Sequence, residues 1–244
     1  MRRLLLVLLA LLVDAPAFAN EVVIRQVLKT KLPDVKIDGV QPAPLPGLFE
    51  VRFQSQDGPQ ILYTDAHANF FFDGSIIDSN SGRNLTEERL RKLSAISFSA
   101  LPLDLAVKVQ RGNGKRVLAM FTDPYCPYCR RFEQGLLQLD DIIVYVFMYP
   151  VIRPENADHS RAVWCSPDRA KAWLELASTD SPKVPAAGPK CPNPVDKVVE
   201  LGRSMRVNGT PTIYLANGER FSGGMDIPQL RARLDGIAAA QAKK

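Results

Sequence analysis

An apolar run, Val117-Leu118-Ala119-Met120-Phe121, passes through Thr122-Asp123-Pro124-Tyr125 into Cys126-Pro127-Tyr128-Cys129 and then into a segment with helical spacing that reaches about Leu139. The run reads as a buried strand, so the two cysteines fall at a strand-to-helix junction. No other stretch constrains the fold as tightly. At a helix N-terminus the unpaired N–H groups and the helix dipole favour an anion, which makes Cys126 the expected thiolate. Cys129, one turn further in, reads as the resolving thiol. Pro127 suits an early helical position, because its missing N–H has no helical partner there. Taken alone, such a pair also admits half a zinc site or a structural disulfide.

The N-terminus bears on compartment. Arg2-Arg3, the unbroken apolar run Leu4 to Val13 and Ala17-Phe18-Ala19 have the layout of a secretory signal peptide over residues 1–19, with cleavage near Ala19/Asn20. The run is too short for the roughly 20 residues that span a membrane. The mature chain is expected to be exported, into a space where disulfides form and persist. The formal charge is +5, and removing Arg2, Arg3 and Asp14 leaves +4. The excess is scattered. Arg89-Leu90-Arg91-Lys92 reads as a solvated helix face, and no nucleic-acid partner is expected.

Residues 20–32 have the spacing of a short amphipathic helix, ended by Pro33. Strand-like runs follow at 35–37, 48–53, 61–64, 69–72 and 75–77, with Asp57-Gly58 and Asp73-Gly74 as turn dipeptides. Residues 20–82 therefore read as one helix on a small antiparallel sheet. Its core is small enough that association with a second copy is expected. Leu85-Thr86 opens a helix with Thr86 as N-cap and Leu85 against Leu90 as a hydrophobic staple. Leu90, Leu93 and Ile96 carry it to about Ser99, and Leu101-Pro102 breaks it, so residues 83–102 read as a linker helix.

Residues 103–244 form the second domain. Strands are expected at 105–109, 116–121 and 142–147, then one helix over 156–178 containing Trp164 and Trp173. A Pro-rich loop (Pro182, Pro185, Pro189, Pro192, Pro194) leads to a helix at about 195–205. A hairpin around Asn217-Gly218 and a helix over 228–240 close the chain. The order is α/β with one parallel crossover and an antiparallel end.

The CxxC-headed helix, Gly209-Thr210-Pro211 just before a strand, and the closing hairpin and helix together resemble the thioredoxin fold. The signal peptide, small first domain, linker helix, Phe121-Thr122-Asp123, Cys-Pro-Tyr-Cys and Val163-Trp164-Cys165 narrow this to a resemblance to the periplasmic thiol:disulfide isomerase DsbC/DsbG family. It covers the mature chain, most strongly over 116–223. It implies an α+β / α/β protein: a thioredoxin-like catalytic domain with a helical insertion, preceded by a small α+β (cystatin-like) dimerisation domain and a linker helix. Cys126 resembles the family's attacking cysteine, exposed at the helix start, and Cys129 its buried partner. Pro127 and Tyr128 lie between them in the active-site loop, and Thr210-Pro211 matches the loop whose proline is cis beside the disulfide. Such a turn exposes backbone groups on which an extended client segment can pair. Cys-Pro-Tyr-Cys matches the DsbG type, whereas Cys165 and Cys191 match the second, structural pair of DsbC; the DsbC-like assignment is favoured.

By count alone, four cysteines allow three pairings, and zinc is the competing use. No second CxxC exists, and the two histidines, His67 and His159, fall in different domains; His159 reads as a surface or capping residue. Tyr125, Tyr128 and Phe132 are equally readable as client-facing or core. No cofactor and no metal is expected. The resemblance implies an exported disulfide isomerase and reductase with chaperone behaviour, acting as a homodimer on misfolded or disulfide-containing exported proteins. A DsbD-like membrane thiol reductant would keep it reduced. The alternatives are a DsbG-like reductase of sulfenylated cysteines and a non-enzymatic holdase. A monomeric DsbA-type oxidase fits less well, since the first domain would have no purpose there.

Overall fold

A computed structural model describes residues 15–55, 58–153, 157–177 and 191–242, the first five by backbone alone. Outside it lie most of the expected signal peptide, Asp57 of the Asp57-Gly58 turn, and Pro182, Pro185 and Pro189 of the Pro-rich loop. The chain divides into two compact units, Met1–Leu93 and Ser94–Lys244.

In the first unit, helix α1 (Ala15–Lys31) lies with a four-stranded antiparallel sheet in the order β1 (Lys36–Pro42), β2 (Leu48–Ser55), β3 (Gly58–Asp65), β4 (Phe71–Phe72). Ile24 and Leu28, one helical turn apart, are fully buried with Val40, Phe49 and Val51 of the sheet. The strand expected at 75–77 is reduced to a single bridge, Ile77 to Asn84. Helix α2 (Leu85–Leu93) is shorter than the expected run to about Ser99. Its cap also differs from expectation: the Asn84 side chain accepts the Glu87 N–H at 3.0 Å. Thr86 is buried, and its hydroxyl is taken by the Tyr63 hydroxyl (2.6 Å) and the Ile76 N–H (2.9 Å).

In the second unit, 3₁₀ turns at Phe98–Ala100 and Leu103–Leu105 replace the end of the expected linker helix, and the Ile96 N–H donates to Gly218 O at 3.1 Å. The five-stranded sheet runs β5 (Val107–Arg111), β7 (Ile142–Met148), β6 (Arg116–Thr122), β8 (Thr212–Leu215), β9 (Arg220–Ser222). Among the described residues of this sheet only β6 and β7 pair in parallel, through helix α3 (Pro127–Leu136). Residues 118–122 of β6 are all buried, as a central strand covered on both faces requires. Phe121 stacks on Phe147 at 4.7 Å between ring centroids. The helical insertion is α4 (Ala157–Cys165), α5 (Arg169–Ala177) and α6 (Val195–Ser204), and α7 (Ile227–Gln241) closes the chain. The single helix expected over 156–178 is thus broken at Ser166-Pro167-Asp168. Pro167 has no N–H to continue α4, and the Asp168 side chain accepts the Lys171 N–H at 2.9 Å at the start of α5.

Candidate active site

Strand β6 delivers the chain to the C-terminal end of the sheet, where Asp123 turns it. The Asp123 carbonyl accepts the Cys126 N–H at 3.0 Å, which closes a tight turn. Cys126 is then the N-cap residue of α3, with extended backbone, and Pro127 occupies the first helical turn. The Cys126 side chain does not cap the helix. Its Sγ donates to the Thr210 carbonyl at 3.4 Å, and the Thr210–Pro211 bond is cis.

Both thiols are free and buried: Cys126 is 2% exposed and Cys129 1%. The expectation of an exposed Cys126 is not met here, because its sulfur is turned onto the Thr210 loop. The exposed members of the motif are Pro127 and Tyr128, the latter 73% exposed. Burial pushes the Cys129 thiol up to about 12, and the neighbouring Cys126 adds to the rise. The hydroxyls of Thr122 and Thr210 and the Asp123 backbone pull the other way. Among the described residues neither hydroxyl has another hydrogen-bond partner.

Asp123 is fully buried, a position sequence reasoning named only as part of a motif. Its Oδ1 accepts the Tyr125 N–H and its Oδ2 the Ile152 N–H, each at 2.8 Å. Burial raises its carboxyl, against hydrogen bonds from the Ile152 and Val151 backbone. His159, read as a surface or capping residue, packs its ring against Tyr125 at 5.3 Å, and its partial burial lowers its basicity. No local signal marks that contact, since α4 begins far along the chain from the motif. Of the other aromatics, Phe132 is core, Tyr125 is half-buried, and Trp164 and Trp173 are buried. Cys165, at the end of α4, is bonded to Cys191, with Cα atoms 5.8 Å apart. Among the described residues, no group of three or more His, Cys, Asp or Glu is placed to hold a metal.

A CxxC pair at the head of a helix that follows a central strand, beside an X-Pro turn, defines a protein of the thioredoxin-like class. Residues 103–238 match the family described as a thioredoxin-like domain, and residues 15–87 match the disulfide bond isomerase protein N-terminal domain. The probable thiol:disulfide interchange protein DsbC of Bordetella pertussis is 42% identical over 188 residues, covering 77% of this chain and 65% of that protein. The corresponding protein of Bordetella avium is 38% identical, covering 86% and 73%. Thiol:disulfide interchange protein DsbC of Escherichia coli K12 is 25% identical, covering 90% and 89%. A disulfide interchange protein from Neisseria gonorrhoeae, known from its crystal structure, is 40% identical with a TM-score of 0.52, covering 56% of this chain and 97% of that one. The chain belongs to the DsbC family of thiol:disulfide interchange proteins. It spans about two thirds of the length of the Bordetella pertussis relative.

Proposed function

We propose that the protein is an exported protein disulfide isomerase and reductase, working in the periplasm through Cys126 and Cys129. The observation that carries this reading is the asymmetry of the two thiols. Cys126 is the N-cap residue of α3, with its sulfur against the Thr210–Pro211 loop, while burial keeps Cys129 protonated through the neutral range.

The Cys126 thiolate attacks one sulfur of a client disulfide. A Cys126–client disulfide forms, and the other client sulfur leaves as a thiolate. That thiolate can attack a different client disulfide, and the thiolate released there displaces Cys126, so the client is rearranged with no net electron transfer. Alternatively Cys129 loses its proton and attacks Cys126, which releases a reduced client and leaves a Cys126–Cys129 disulfide. The high pKa of Cys129 slows this second route and lengthens the time for rearrangement. A DsbD-like membrane thiol reductant would supply the two electrons that restore the dithiol. Thr210 and Pro211 would form the loop on which the client backbone lies, and Cys165–Cys191 would be structural.

A homodimer through the first unit would present two dithiols to one client and account for chaperone behaviour. The competing reduction of sulfenylated cysteines calls for a polar client-facing surface. The exposed Tyr128 and Ile152 favour unfolded, apolar clients instead. The test is recovery of active ribonuclease from a scrambled-disulfide preparation, with Cys126→Ser as control. Recovery that requires Cys126 is expected. Reduction without recovery would sink the isomerase reading.

A further inference from the structure

Asp123 buries a carboxyl group at an unusual place. Among the described residues no cation lies within ion-pair distance of it, so its compensation is backbone N–H groups. Burying a carboxylate on such terms is costly, and it is tolerated where each oxygen is well satisfied. The two donors belong to different loops. Tyr125 lies in the turn that presents Cys126, and Ile152 lies in the segment after β7. The two oxygens of one carboxyl group therefore hold these loops within one side chain of each other. The β7 loop has a second tether on the same strand, since the Tyr149 N–H donates to Thr122 O at 2.9 Å. What it displays is unexpected for a segment so firmly held: Ile152 is 50% exposed. The Asp123 bridge places this half-exposed side chain beside the Cys126 turn, where a client segment can meet it.

We propose that Asp123 is a positioning residue whose carboxylate clamps the Cys126 turn to the Ile152 loop, and that Ile152 receives an apolar side chain of the client beside its disulfide. This rests on the thiol–disulfide exchange proposed above and names the client feature selected. Asp123 acts through Ile152 and through the backbone of the Cys126 turn. An amide at position 123 offers only one acceptor oxygen, so one of the two loops is released.

The test uses two peptides with one internal disulfide, identical except that leucines flank the disulfide in one and serines in the other. The readout is the ratio of their kcat/KM values, from which the fraction of active protein cancels. The wild type is expected to favour the leucine peptide roughly five- to tenfold. Ile152→Ser should bring the ratio close to one, and Asp123→Asn should lower it several-fold. The double variant should fall no further than Ile152→Ser alone, because the two residues act as one unit. A ratio in Ile152→Ser equal to that of the wild type would overturn the proposal, and this surface variant decides the matter even where Asp123→Asn fails to fold. So would an Asp123→Asn protein that loses turnover but keeps the wild-type ratio, since Asp123 would then be merely structural. A wild type that turns both peptides over equally overturns this proposal alone. A wild type with no Cys126-dependent turnover removes the exchange activity on which it rests.

Discussion

Glu133 lies one turn beyond Cys129 on α3, with its carboxyl buried among Val109, Leu136, Val144 and Leu174. Burial pushes it up to about 8, while the Trp173 indole and the Arg111 guanidinium pull it down. Its Oε1 has no hydrogen-bond partner among the described residues. The folded protein therefore holds a proton that the unfolded chain releases near the ordinary value of 4.5. The stability this provides is complete below about pH 4.5 and is lost as pH rises through about 8, on the order of a few kcal/mol across the interval. Glu133→Gln keeps the shape and removes the titration. Its melting temperature should stay near that of the wild type at pH 5 and exceed it by several degrees at pH 9. Equal pH slopes for the two proteins would show that Glu133 does not titrate in this range.

At the scale of elements, α2 is held to its sheet by a buried carboxylate. Glu50 of β2 is 3.2 Å from Arg89 Nε and 3.7 Å from Arg52 Nε, and Arg89 also donates to Gln41 at 3.2 Å. Removing Arg89 leaves Glu50 poorly compensated, so Arg89→Ala should cost about 2–4 kcal/mol, and Glu50→Gln in the same chain should recover part of that loss. Denaturant unfolding of the four proteins of the cycle measures the coupling, and a coupling near zero would mean that apolar packing and Thr86 hold the helix alone. The same helix shows what sequence could and could not disclose. Its amphipathic spacing and its start were readable. Its cap was not, because the Thr86 hydroxyl is recruited by Tyr63 and Ile76, groups brought near only by the fold. Its end departs from the helical spacing for a similar reason. Ile96 continues the helical pattern, but its N–H is committed to Gly218 O, far along the chain. Strands β6 and β7 were legible as unbroken apolar runs because both their faces are covered, and Cys126–Cys129 declared itself by spacing. The Asp123 clamp and the Tyr125–His159 contact were not legible, since each joins loops with no mutual signal in the chain.

At the scale of the whole molecule, the first unit ends its sheet with an edge that is hard to reconcile with a lone copy. Strand β4 is two residues long, and both Phe71 and Phe72 are exposed. Phe70 is 67% exposed just before it and Ile77 60% just after. Natural sheets guard their edges with short strands, charge, proline or a cover, because an open apolar strand pairs with another chain. Strand β4 is short, but the aromatic side chains around it remain exposed, and the proposed homodimer supplies a second copy as their cover. Phe72→Lys places a cation at this edge without touching the buried core of Ile24, Leu28 and Val51. Sedimentation equilibrium should give twice the chain mass for the wild type and a single-chain mass for the variant. Recovery of scrambled ribonuclease should drop more than reduction of insulin, because rearrangement needs the client retained between attacks whereas reduction needs one dithiol. A variant that remains dimeric would move the interface away from β4. A wild type that sediments as a single chain would remove the homodimer from the proposed function and leave the exposed phenylalanines as a surface for client chains.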